Sequence, residues 1–118
     1  MRQSSIRAAF VFSIFCATIH LSPSHVLRVV DGDTFILAHV GIPPEERVRI
    51  LGVDTPERGQ PNYAEATAFT RAWITAGDFA LTTCKRDSFG RLLSTVTRGN
   101  DNLSDALLNA GLAVRYVK

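Results

Sequence analysis

Asp31 and Asp33 flank Gly32 inside Arg28–Leu37, an apolar, β-branched stretch that otherwise reads as strand. A tight turn accounts for such a segment on its own, with glycine supplying an unusual backbone angle and the aspartates making local hydrogen bonds. A helix-loop-helix calcium loop does not fit, because Phe35 and Ile42 fall where that loop needs oxygen ligands. A second acidic pair, Asp54 and Glu57, lies in RILGVDTPE. If the two clusters meet in space, Asp33 and Asp54 repel unless a cation stands between them. Hard oxygen donors of this kind suit Ca2+ or Mg2+. Nothing points to zinc, since His20, His25 and His39 are scattered.

Arg49 sits within VRILGV, and Arg91 follows Gly90. A strand arginine usually faces solvent; one that turns inward needs a carboxylate or phosphate partner. Two fixed guanidinium groups beside a metal and a free carboxylate would meet the needs of phosphodiester cleavage. The metal polarises a phosphate oxygen, the arginines hold the phosphate, and the carboxylate orients or deprotonates water.

The elements that must position these groups follow from hydrophobic spacing. Val26–Val30, Thr34–His39, Arg47–Val53, Phe79–Lys85, Leu92–Thr97 and Ala113–Val117 read as strands. Gly41–Glu46, Asp54–Asn62, Arg86–Arg91 and Arg98–Asp101 read as turns or loops. Ala64, Ala68, Phe69, Ala72, Trp73 and Ala76 have helical spacing, with Asn62 and Glu65 in a capping-box-like arrangement and Gly77 as the stop. A short helix covers about Leu103–Ala110. Many short strands around one principal helix suggest a small closed barrel of the oligonucleotide-binding type, because closure removes exposed edges.

VVDGDT, VRILGVDTPE and DSFGRLL, in this order and spacing, resemble the three motifs of the staphylococcal nuclease family. YAEATAFTRAW and LSDALLNAGLAVRY resemble its first helix and a later helix-to-strand segment, so the resemblance spans about Val26–Tyr116. It implies an α+β OB-fold, a five-stranded Greek-key barrel, and a monomeric Ca2+-dependent endonuclease acting on single-stranded or locally open DNA and RNA. By motif, Asp33, Asp54 and the Thr55 carbonyl would ligate calcium, with Asp31 in the outer shell. Glu57 would be the general base, and Arg49 and Arg91 would bind the scissile phosphate. Attack on phosphorus would release the 5′-oxygen and leave 3′-phosphate ends. Ser88-Phe89 departs from the Lys-Tyr of the best-known member, removing an ammonium and a phenol, although Phe89 can still stack on a base. By the same resemblance, Tyr116 would stand for one of the family's nucleotide-contacting tyrosines. The reading from another class is a non-catalytic OB-fold module that binds nucleic acid or protein.

The chain of 118 residues suggests one domain, and its 46% hydrophobic content is that of a globular protein. Residues 1–24 combine Arg2 and Arg7, an apolar run from Ala8 to about Leu21, and small residues at Ser22 and Ser24. This is the pattern of a secretory signal peptide cut before His25, giving a secreted or periplasmic domain over 25–118; an uncleaved membrane anchor is the alternative. Cys16 does not sit in a lipoprotein box. The net charge of +2 resides in Arg2 and Arg7, so nucleic-acid binding must rest on placed arginines rather than on a general positive field. The same cut leaves Cys84 as the only thiol, with no intrachain disulfide expected.

Overall fold

The structure, a computed structural model, describes residues 16–38 and 45–116. Most of the expected leader, His39, the larger part of the Gly41–Glu46 loop, and Val117 lie outside these residues. The strands are β1 (Ala17–Leu21), β2 (Val26–Asp31), β3 (Thr34–Ala38), β4 (Glu45–Ile50), β5 (Val53–Asp54), β6 (Phe79–Arg86), β7 (Leu92–Arg98), β8 (Asp101–Asn102) and β9 (Val114–Arg115). Helix α1 spans Tyr63–Thr75 and α2 spans Leu103–Asn109.

The main sheet runs β1-β6-β7-β4-β3-β2, with β8 on β7 and a separate β5-β9 pair. β4 and β7 are parallel, and the other pairs are antiparallel. The architecture is α+β and barrel-like, but its hydrogen-bonded sheet is not closed, which corrects the expectation of a closed barrel. The physical reason is that the outer edge of β6 is taken by β1, while β2 packs against α1.

Alternating residues explain the core. Phe35 and Leu37 of β3 and Val48 and Ile50 of β4 join Leu81, Leu92 and Val96 inside, with Ile74, Leu103 and Leu107 from the helices. Phe35 meets Phe79 edge-on. Arg98 closes the far end of α1: its guanidinium bonds the carbonyls of Trp73, Gly77 and Asp78 and stacks 4.1 Å from the Trp73 ring centroid.

The structure corrects four local expectations. Arg47–Val53 is not one strand, because Gly52, at φ 91°, turns the chain between β4 and β5. Glu45 and Glu46 belong to β4 rather than to a loop. Asn62 takes the N-cap position in a left-handed conformation and makes no side-chain cap bond, so no capping box forms. The expectation of no disulfide assumed a cut before His25 and does not hold for the chain that keeps Cys16, where Cys16 is bonded to Cys84. Residues ahead of His25 have a place in the fold. β1 pairs with β6 along its length, Leu21 is buried and Ile19 packs on the core. A cut before His25 would remove all of these.

Candidate active site

Four segments bring the acids and arginines together. The β2–β3 turn carries Asp31 and Asp33, β4 carries Arg49, β5 and the residue after it carry Asp54 and Thr55, and the β6–β7 turn carries Arg91. Gly32 is required by close packing: a Cβ there would stand 2.8 Å from the Thr55 side chain and 2.9 Å from Ala66 Cβ. The Gly32 carbonyl accepts a 2.6 Å bond from Thr70, and Tyr63 bonds the Val30 carbonyl, so α1 fixes the turn from behind.

Asp33 is buried and fully engaged. Thr34 Oγ1 donates to its Oδ1 at 2.9 Å; the Thr55 N–H and hydroxyl donate to Oδ2 at 3.0 and 3.1 Å. Arg49 is also buried, on the face of β4 opposite Val48 and Ile50, its Nη1 donating to the carbonyls of Ile50 and Val53 at 2.9 and 2.8 Å. Its Nη2 lies 3.6 Å from Asp33 Oδ2 and donates to Asp54 Oδ1 at 3.3 Å. Two carboxylates from separate elements thus reach one guanidinium nitrogen. The Gly52 turn makes this possible by bringing Val53 and Asp54 back against the strand that carries Arg49.

Electrostatics separate the two turn acids. Burial pushes the Asp31 carboxyl up to about 6, with the hydrogen bond to Asp33 and its charge adding to the effect. Burial acts on Asp33 in the same sense, but hydrogen bonds from Asp31, Thr55 and Thr34 and the charge of Arg49 outweigh it and hold its carboxyl below the usual range. The pair therefore carries negative charge that Arg49 only partly offsets.

Arg91 is oriented by a residue not singled out in the sequence. Asp87 Oδ2 accepts from Arg91 Nε at 2.7 Å, while Oδ1 accepts from the backbone N–H groups of Phe89 and Arg91. The Asp87 side chain is only 1% exposed. This arrangement leaves the terminal nitrogens of Arg91 available for a phosphate. The local signal was an aspartate opening the D-S-F-G-R turn, four residues before the arginine, a placement suited to an Asx-type turn. Arg49, Phe89, Arg91 and Tyr116 line one hollow of about 100 Å3. The Arg49 and Arg91 guanidinium carbons stand 5.6 and 5.2 Å from the Tyr116 and Phe89 ring centroids, respectively. Glu57 is not drawn in. It is exposed on the loop before α1, its N–H bonds Gln60, and its side chain makes no hydrogen bond or ion pair among the described residues.

The donor chemistry is of the hard-oxygen kind that suits a divalent cation: Asp33 and Asp54 converge on Arg49 Nη2, and Asp31 adds a carboxylate next to Asp33. Among the described residues, no group of three or more His, Cys, Asp or Glu side chains is placed to hold a metal ion.

Residues 47–118, which include Arg49, Asp54, Glu57 and Arg91, match the family described as staphylococcal nuclease homologue. The chain belongs to the staphylococcal nuclease family. Its architecture is therefore the OB-fold of that family, and in this chain β1 lies on the outer edge of β6. Among curated relatives, a thermonuclease of Staphylococcus hyicus is 36% identical over 96 residues, covering 75% of this chain and 56% of the relative. A thermonuclease of Staphylococcus intermedius is 38% identical with the same coverage. Endonuclease YncB of Bacillus subtilis (strain 168) is 37% identical over 100 residues, 76% of this chain and 46% of the relative. The chain spans about half the length of the curated relatives it matches.

Proposed function

We propose that the protein is a calcium-dependent nuclease that hydrolyses phosphodiester bonds of DNA and RNA and leaves 3′-phosphate ends. The observation that carries this reading is the meeting of Asp33, Arg49 and Asp54 at one point, with Arg91 across a hollow from Arg49. The names of the relatives support nuclease chemistry. Asp33, Asp54 and the Thr55 carbonyl would hold calcium, with Asp31 outside them; when bound, the ion polarises a phosphate oxygen. Arg49 and the terminal nitrogens of Arg91 take the remaining phosphate oxygens and stabilise charge as the phosphorus becomes pentacoordinate. Glu57 accepts a proton from the attacking water, whose oxygen bonds to phosphorus as the bond to the 5′-oxygen breaks, and the freed 5′-oxygen takes a proton from solvent to leave as a hydroxyl. Phe89 and Tyr116 present ring faces to the bases.

The functional unit in this reading is a monomer, exported to an oxidising compartment. The Cys16–Cys84 bond supports that location, and in this reading any leader cut falls ahead of Cys16. No helix among the described residues is long and apolar enough to cross a membrane. The exposed position of Glu57 favours one competing reading, a non-catalytic OB-fold module that binds nucleic acid or protein.

Incubation of single-stranded and duplex DNA with the purified chain, first with calcium and then with a chelator, tests the proposal. Cutting that requires calcium and falls by at least about a hundredfold in Glu57→Gln is expected. A folded, calcium-loaded protein that binds DNA without cutting it would establish the binding module instead.

A further inference from the structure

Arg47 is not used by the mechanism above, yet its position relates it to Arg49 and Arg91. It is exposed on β4, two residues before Arg49, so the two side chains leave the same face of the strand. Their backbone origins are about 7 Å apart, a spacing set by strand geometry. β4 runs parallel to β7 with Val48 opposite Leu92 and Arg49 opposite Leu93. One step back in that register places Arg47 opposite Arg91. A second hollow, about 340 Å3, is lined by Arg47, Phe89 and Arg91. Phe89, which is 79% exposed, and Arg91 therefore border both this hollow and the one containing Arg49.

We propose that Arg47 forms a second phosphate subsite, holding the phosphate that neighbours the scissile one, with the Phe89 ring between the two positions. The proposal rests on the nuclease reading and deepens it. One extended nucleic-acid strand would run past Arg49 and Arg91 onto Arg47, keeping its phosphates on the arginine row while an unpaired base covers Phe89. The substrate favoured by this layout is a polynucleotide rather than a mononucleotide. Arg47 also restores near Phe89 the positive charge that Ser88 does not provide. A guanidinium suits the task because it donates to two phosphate oxygens at once.

The test compares Arg47→Ala with its parent, both in a Glu57→Gln background with calcium to prevent cleavage. Affinity for a fluorescent twelve-residue oligothymidylate is measured across a salt series, together with affinity for thymidine 5′-phosphate. Loss of one phosphate contact should weaken oligonucleotide binding roughly fivefold and flatten the salt slope by about 0.7. The loss for the mononucleotide should be smaller, and Arg47→Lys should recover part of the slope. Arg71→Ala, which removes the same charge from α1, should leave the slope where it was. An Arg47→Ala protein with the parental slope and affinity would overturn this inference alone. A parent protein that binds no oligonucleotide at all would overturn the nuclease reading and this inference with it.

Discussion

Breaking the Cys16–Cys84 bond should lower stability by an amount that the topology sets. The bridge joins residues separated by 68 positions. In the chain-entropy picture, closing a loop of that length removes about 4 kcal/mol of freedom from the unfolded chain. That is a large share of the roughly 5–15 kcal/mol that holds a small domain together. For a domain of this size it corresponds to a fall in Tm of roughly 15–30 °C. The effect should be close to the full entropic value, because β1 is an edge strand whose one strand partner among the described residues is β6. Urea melts of the oxidised chain, the reduced chain and a Cys84→Ser variant give the magnitude, with thiol counting to confirm each state. The reduced chain and the variant should share one lower midpoint. A reduced protein with two free thiols and an unchanged midpoint would refute the reasoning. A chain starting at His25 should fall further still, since it also loses the burial of Leu21 and Ile19, worth about 2–3 kcal/mol together.

Three further outcomes follow from the site. Arg49→Met leaves Asp33 buried without its counter-charge and strips donors from the Ile50 and Val53 carbonyls, so urea melting should show a loss of about 3 kcal/mol; equal stability would mean that the pair is not structural. Burial would raise the Asp87 carboxyl, but the bonds from Arg91 and Phe89 outweigh it and hold it below its ordinary 3.8. A depressed acid contributes stability above its unfolded pKa and loses it as pH falls through the folded value, so Asp87→Asn should be less stable than its parent at neutral pH, with the gap closing below about pH 3.8 in acid titrations followed by circular dichroism. Phe89→Ala should leave Tm unchanged, since the ring is 79% exposed, while weakening oligonucleotide binding by about 1–3 kcal/mol in fluorescence titrations; unchanged affinity would remove its stacking role.

Much of this was legible along the chain because it is local. Period-two alternation marked β2, β3, β4, β6 and β7, and helical spacing marked α1, since each pattern reports which side of its own element is buried. Gly32 between two aspartates announced a turn, and the order of the three motifs announced the family. The break at Gly52 was harder to see, because apolar residues continue on both sides of it and only the return of Asp54 onto Arg49 shows why the chain must turn.

What the sequence by itself determined, then, is the set of chemical groups and the elements that carry them: acids on a turn and after a strand, one arginine on a strand and one on a turn, and an aromatic at a loop tip. Tertiary structure alone decided how those groups are partnered. Arg49 could face either way until Asp33 and Asp54 met it. Asp87 was one polar turn residue among several until Arg91 folded back over it. The segment before His25 has the apolar composition of a leader, yet the same Ile19 and Leu21 alternate correctly for a strand once β6 offers an open edge, and Cys16 finds Cys84 only there. Periodicity records the environment of each residue but not the identity of its distant neighbour, and in this protein the site and the disulfide are made of such distant pairs.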